Sequence, residues 1–223
     1  MDWPIAPRTC SVPNACWFRS VAFAALAFAG VVFAQADVND CRPCTITPGG
    51  KTPAFSFTFE IKKEERSVTA IHVVNSSTHA KQRLTVTADM DPIQAGQKFF
   101  FGGVDVNFDG YLDVMLITSR GVANAYADYW IYDPVKASFE PLGNYPVLKI
   151  DAAKKRLSTY ERGGSAGLEH EAKEFAFVNG KLTVMREEKQ EPTNQPGVFR
   201  KVVRERASAG MKTVKTETVR APK

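Results

Sequence analysis

The chain has 223 residues and a formal charge of +5, with 44% hydrophobic and 24% charged residues. That balance excludes a disordered chain and fits one globular domain or a small pair. No HExxH, Gly-x-Ser-x-Gly or Gly-rich phosphate loop occurs, which argues against the common metallohydrolase, serine-hydrolase and nucleotide-binding classes.

The first 36 residues read as a secretion signal. An apolar run from Val21 to Phe33 follows Arg19 and ends in Ala34-Gln35-Ala36, an h-region followed by an A-x-A cleavage site. The run is too short for a transmembrane helix. A mature chain beginning near Asp37 is expected, periplasmic or secreted and without a transmembrane segment. Cleavage removes Asp2, Arg8 and Arg19, so the charge falls from +5 to +4. It also removes Cys10 and Cys16. The remaining Cys41 and Cys44 form a Cys-Arg-Pro-Cys motif in a polar segment. A local disulfide is expected in an oxidising compartment, since no second CxxC is present to complete a zinc site.

Residues 37–52 are rich in Pro and Gly and read as a flexible lead-in; residues 53–223 read as a single β-domain. Phe55-Ser-Phe-Thr-Phe-Glu-Ile61 alternates cleanly and predicts a strand with one apolar face. Ser67–Asn75 is β-branched, and the Ser76-Ser77-Thr78 turn joins it to a further alternating strand at 83–88. One short helix is expected over Asp91–Gly96. Phe99–Val104 and Val114–Ile117 read as strands on either side of Asp105-Val-Asn-Phe-Asp-Gly-Tyr-Leu-Asp113.

That nine-residue loop carries oxygen side chains at positions 1, 3, 5 and 9 and Gly at position 6. This is the spacing by which a short loop wraps a hard cation such as Ca²⁺. Asp105, Asn107, Asp109 and Asp113 are the expected side-chain ligands, and the Tyr111 carbonyl is the expected backbone ligand. Gly110 permits the sharp turn. Leu116 stands where a complete EF-hand has its bidentate Glu, so the loop is of the shorter kind. The competing reading is an Asp/Asn-rich turn without metal.

Strands follow at Tyr129–Tyr132, Phe139–Leu142 and Leu157–Tyr160. Glu174–Val178 and Lys181–Met185 flank Asn179-Gly180, a strong signal for a hairpin with a type I′ turn. Val198–Arg206 and Met211–Val219 form a last pair. The C-terminal charges, Arg200, Lys201, Arg204, Arg206, Lys212, Lys215, Arg220 and Lys223, have only Phe199 among them. That pattern fits a solvated strand face better than a nucleic-acid site. Many strands at short spacing predict an all-β protein, an antiparallel twisted-sheet, propeller-like or sandwich domain with one calcium loop.

No residue set stands out as catalytic, so a non-enzymatic binding or inhibitory module is expected. Its second informative segment is Tyr160-Glu-Arg-Gly-Gly-Ser-Ala-Gly-Leu-Glu-His-Glu171. Gly163, Gly164 and Gly167, with Ser165 and Ala166, allow a narrow projecting loop. Arg162, Ser165 and His170 are its expected hydrogen-bond donors. An ordinary flexible loop is the alternative.

Val68-Thr-Ala-Ile71, the Gly103–Asp113 loop, Tyr129-Trp-Ile-Tyr-Asp-Pro134, Arg162-Gly-Gly-Ser-Ala-Gly167 and Gly180-Lys-Leu182 occur in an order that resembles a family of secreted bacterial proteins often labelled FG-GAP- or VCBS-like. Its members include periplasmic immunity proteins that neutralise peptidoglycan-hydrolase effectors of the antibacterial type IV secretion system, and they resemble inhibitors of I-type lysozyme. The resemblance spans most of residues 55–205. It implies an all-β domain with bound Ca²⁺ and a loop that enters a lysozyme-type cleft. The expected partner is therefore a peptidoglycan hydrolase. Ser165-Ala166-Gly167 and His170 stand where the family loop has small residues and a Tyr. The alternative function is a calcium-dependent adhesion or glycan-binding β-module.

Overall fold

The structure is a computed structural model that describes residues 44–62, 64, 66–87, 90–92, 100–121 and 123–222. The expected signal peptide, Cys41 and most of the expected helix at 91–96 lie outside these residues, so the Cys41–Cys44 pairing is not among the described contacts.

Among the described residues fourteen strands form three antiparallel sheets, and in each one neighbouring strands follow one another in sequence. Sheet A contains β1 (Cys44–Ile46), β2 (Phe55–Lys62), β3 (Ser67–Asn75) and β4 (Lys81–Thr85). Sheet B contains β5 (Phe101–Val104), β6 (Asp113–Arg120), β7 (Ala125–Asp133) and β8 (Ser138–Pro146). Sheet C contains β9 (Lys149–Asp151), β10 (Arg156–Arg162), β11 (His170–Val178), β12 (Lys181–Pro192), β13 (Val198–Ala207) and β14 (Gly210–Arg220). None of the sheets closes into a barrel. The fold is all-β, as the strand patterning predicts.

Sheet B is the middle layer. Phe101, Val114, Leu116, Trp130, Tyr132 and Phe139 pack with Phe55, Phe57, Ile71 and Val73 of sheet A. Val104, Met115, Ala127 and Tyr129 pack with Leu157 and Phe175 of sheet C. Alternate residues of a strand point to opposite faces, so β6 must be apolar on both. This accounts for the unbroken run Val114-Met115-Leu116-Ile117, where β2 alternates.

Two amide side chains tie neighbouring sheets together by pairing with backbone as a strand would. Gln82 of β4 donates from Nε2 to the Phe139 carbonyl at 2.5 Å and accepts from the Phe139 N–H at 3.0 Å. Asn124, just before β7, accepts from the Arg162 N–H at 2.8 Å and donates to the Arg162 carbonyl at 2.9 Å. A third tie is buried: the Asp128 carboxylate accepts from the Thr87 N–H, the Thr87 hydroxyl and the Asn144 amide.

The expected flexible lead-in is ordered from Cys44 onward. Cys44 and Ile46 are buried in the A–B core, and β1 pairs with β2. The Pro48 carbonyl accepts from the Leu112 N–H at 2.7 Å, joining this segment to the Asp-rich loop. Proline and glycine here shape a turn rather than a linker. At the other end, β12 runs on through Arg186-Glu-Glu-Lys-Gln-Glu-Pro192, well past the expected Met185. Cross-strand ion pairs such as Arg204–Glu187 and Lys201–Glu188 line opposite faces of this part of the sheet.

The predicted β11–β12 hairpin is present. Val178 pairs with Lys181, and Asn179 and Gly180 both have positive φ, 50° and 73°, as a type I′ turn requires.

Candidate functional site

Two loops carry the residues singled out from the sequence. The first joins β5 to β6. Asp105 accepts from the Phe108 N–H at 2.7 Å and the Gly110 N–H at 3.1 Å. Asn107 accepts from the Asp109 N–H, and Asp109 accepts from the Tyr111 N–H. Each acidic or amide side chain thus organises the backbone that follows it, and Gly110 takes a φ of 88° at the turn.

Asp113 differs from the others because it is wholly buried. Its two oxygens accept from the Val106 and Tyr132 N–H groups, each at 2.9 Å. Burial pushes its carboxyl up to about 7, against the two hydrogen bonds, and the charges of Asp109 and Asp105 push the same way. Asp105 is also raised, first by burial, with the Asp109 charge adding to it. Among the described residues no three His, Cys, Asp or Glu side chains gather into a ready cation cage. The donors still fit a hard cation in chemical type. The mutual repulsion of Asp105, Asp109 and Asp113 is the kind of cost that such an ion relieves.

The second loop joins β10 to β11. It is closed upon itself. The Gly163 N–H donates to the Glu169 carbonyl at 2.7 Å, and the Gly167 N–H donates to the Gly164 carbonyl at 3.0 Å. The Ser165 hydroxyl donates to the Glu169 carboxylate at 2.7 Å, and Gln190 of β12 donates to the Leu168 carbonyl at 2.6 Å. A Cβ on Gly163 would stand 2.9 Å from the Glu169 Cβ, so glycine is needed there for close approach. Ser165 and Ala166 take φ values of 52° and 54°, left-handed conformations that side chains other than glycine adopt at a cost. Residues 162–166 remain exposed.

The three expected donors have different fates. Ser165 is engaged by Glu169. His170 begins β11, and its side chain is only 13% exposed. Its Nε2 lies 3.4 Å from the Glu188 carboxylate, and its ring stacks on Tyr160 with centroids 5.3 Å apart. Burial pushes Glu188 up, but Lys201, His170 and Arg186 outweigh burial and hold its carboxyl below the ordinary range. Arg162 alone is free: its backbone is clamped by Asn124, while its guanidinium has no partner among the described residues.

Three contributors escape sequence reading. Tyr160 is 52% exposed, yet a lone aromatic in a strand reads as core. Its signal was phase: Leu157 and Thr159 point inward, so Tyr160 must point out. Asn124 and Tyr126 lie far back in sequence. Tyr126 donates to the Glu161 carboxylate, which, with burial, pushes the phenol up to about 12. A groove of about 320 Å³ runs beside the loop, lined by Glu161, Arg162, Glu169, Glu171 and Gln190 among others.

No family model matches the chain, and no curated protein matches it. Among solved structures, a Xanthomonas type IV secretion system related protein is similar over 82% of this chain and 97% of its own length, at 15% identity with a TM-score of 0.49. Among the described residues no helix is long and apolar enough to cross a membrane.

Proposed function

We propose that this chain is a non-enzymatic, calcium-stabilised periplasmic protein that binds and inhibits a peptidoglycan hydrolase of lysozyme type, acting as an immunity protein. The observation that carries this reading is the β10–β11 loop. Its tip is exposed, yet its backbone is closed by internal hydrogen bonds and anchored by Asn124, just before β7, and by Gln190 of β12. A loop already ordered loses little entropy on docking. Left-handed conformations at Ser165 and Ala166 are kept only where the surroundings enforce them.

A glycan hydrolase works through two carboxyl groups in a cleft. A narrow loop carrying one free cation is suited to occupy that cleft, because charge-assisted hydrogen bonds to carboxylates are the strong ones. The motif order over residues 55–205 supports the same reading. Calcium would be held by Asp105, Asn107, Asp109, Asp113 and the Tyr111 carbonyl, fixing the β5–β6 connection of the middle sheet.

The test is inhibition of peptidoglycan lysis by lysozymes of the chicken and invertebrate types, with the exported protein added at increasing concentration. Dose-dependent inhibition is expected for at least one type. Full lysis by both at a large molar excess of the protein sinks the reading.

A further inference from the structure

We propose that Tyr160 and Arg162 form a recognition pair for a carboxylate presented by a protein partner. This rests on the reading that the β10–β11 loop docks on a hydrolase, and it names the residues that carry the contact.

The two residues are separated by one position on β10 and so share a face of sheet C. Arg162 stands opposite His170 in the ladder, and the Tyr160 ring rests on that same histidine. Both are fixed where fixing helps. Asn124 pins the Arg162 backbone at both N–H and carbonyl. His170, held beside Glu188, supports one face of the Tyr160 ring. Their functional ends stay open. The guanidinium is unpartnered among the described residues, and Tyr160 is the one aromatic among the large exposed apolar side chains described.

The one open charge of the pair selects the ligand. Glu188 on this face is already met by Lys201 at 2.7 Å and Arg186 at 3.3 Å, and Arg186 also meets Glu174 and Glu205. Although Glu161, Glu169 and Glu171 line the groove beside it, Arg162 is paired with none of them among the described residues, so its guanidinium is the group left open to an acidic ligand. The guanidinium fork takes a carboxylate through two parallel hydrogen bonds. A rigid aromatic beside it excludes water, and Tyr and Arg, with Trp, are the residue types enriched where a few residues dominate binding.

The experiment measures the affinity of the full-length exported protein for a lysozyme and for the same lysozyme with both catalytic carboxyls replaced by amides. Arg162→Ala and Tyr160→Ala are each expected to weaken binding by about 30-fold, the effect of losing a dominant contact. Tyr160→Phe should bind as wild type does, since the ring carries the effect. Arg162→Lys should recover only part of the loss. Arg162→Ala should no longer distinguish the amidated lysozyme from the native one, an outcome that a merely structural role would not produce. All four variants should melt with wild type, because both side chains are exposed. If wild type binds and both alanine variants bind equally well, the pair is refuted while the docking reading stands. Loss of retention on insoluble peptidoglycan by Tyr160→Ala, with lysozyme binding intact, would make the patch a glycan platform and overturn the proposal. Absence of wild-type binding to any lysozyme overturns both readings.

Discussion

Replacing Asp113 by Asn removes a buried titrating group while keeping its shape. The Asp113 carboxyl moves from 3.8 to about 7 on folding, chiefly through burial. Each pH unit of displacement corresponds to 1.36 kcal/mol, so the preference for the protonated form is at most roughly 4 kcal/mol, a large part of a typical domain's stability. The sign follows from the raised value. Below pH 3.8 both states hold the proton and nothing is lost. As pH rises toward 7 the unfolded chain releases it first, and stability falls. The carboxylates held below their ordinary range, Glu60, Asp133, Asp151, Glu171, Glu188 and Glu191, act oppositely. Their stabilisation is complete above about pH 5 and is lost on acidification. The window from pH 5 to 7.5 therefore reports the raised carboxyls, Asp113 foremost and Asp105 with it. In chelator, the wild-type protein should lose stability across that window, by roughly 5–10 °C in melting temperature for a domain of this size. Asp113→Asn should remove most of that loss. The variant should also be less stable at pH 5, by about 1–3 kcal/mol, because its amide turns a donor toward one of the two N–H groups that Asp113 accepts. Denaturant titration at each pH measures both effects. Equal wild-type stability at pH 5 and 7.5, or the same slope in the variant, would refute the reasoning.

Two further outcomes are expected. Added Ca²⁺ should raise the wild-type melting temperature, and Asp109→Ala should abolish the response by removing a central ligand; identical melting with calcium and with chelator would reject the site. Gly163→Ala should cost about 1–3 kcal/mol because its Cβ meets the Glu169 Cβ, while Gly164→Ala should cost less, its Cβ meeting the movable Glu169 carboxylate, a ranking that thermal melts can check.

The strands legible in the sequence are those with an apolar phase. Phe55, Phe57 and Phe59 announce β2 because one face of sheet A is wet. The Asn179-Gly180 turn is legible because few dipeptides accept two positive φ angles. Strand β1 was hidden: three residues show no period, and their neighbours are Pro and Gly. The distal half of β12 was hidden for the opposite reason, since ion pairs rather than an apolar stripe line it. The β10–β11 loop stood out by its glycines, but its working parts did not. His170 drew notice as a donor and turns out to support Tyr160. Asn124 shapes the loop from 38 positions away, and nothing local to either segment reveals that.

Since every ladder joins consecutive strands, each sheet is written in one continuous stretch of chain. Loop closure is short throughout, and hairpins can form in the order in which the chain is made. The middle layer imposes a schedule on this. Once residues 44–146 have paired, Val114, Leu116 and Trp130 are covered by sheet A, but Met115, Tyr129 and Ala127 still face water. A chain halted at that stage would carry one dry wall and one sticky one. The final third of the protein supplies the cover for that wall, and a chain that has paired it offers no open face through which two copies could join.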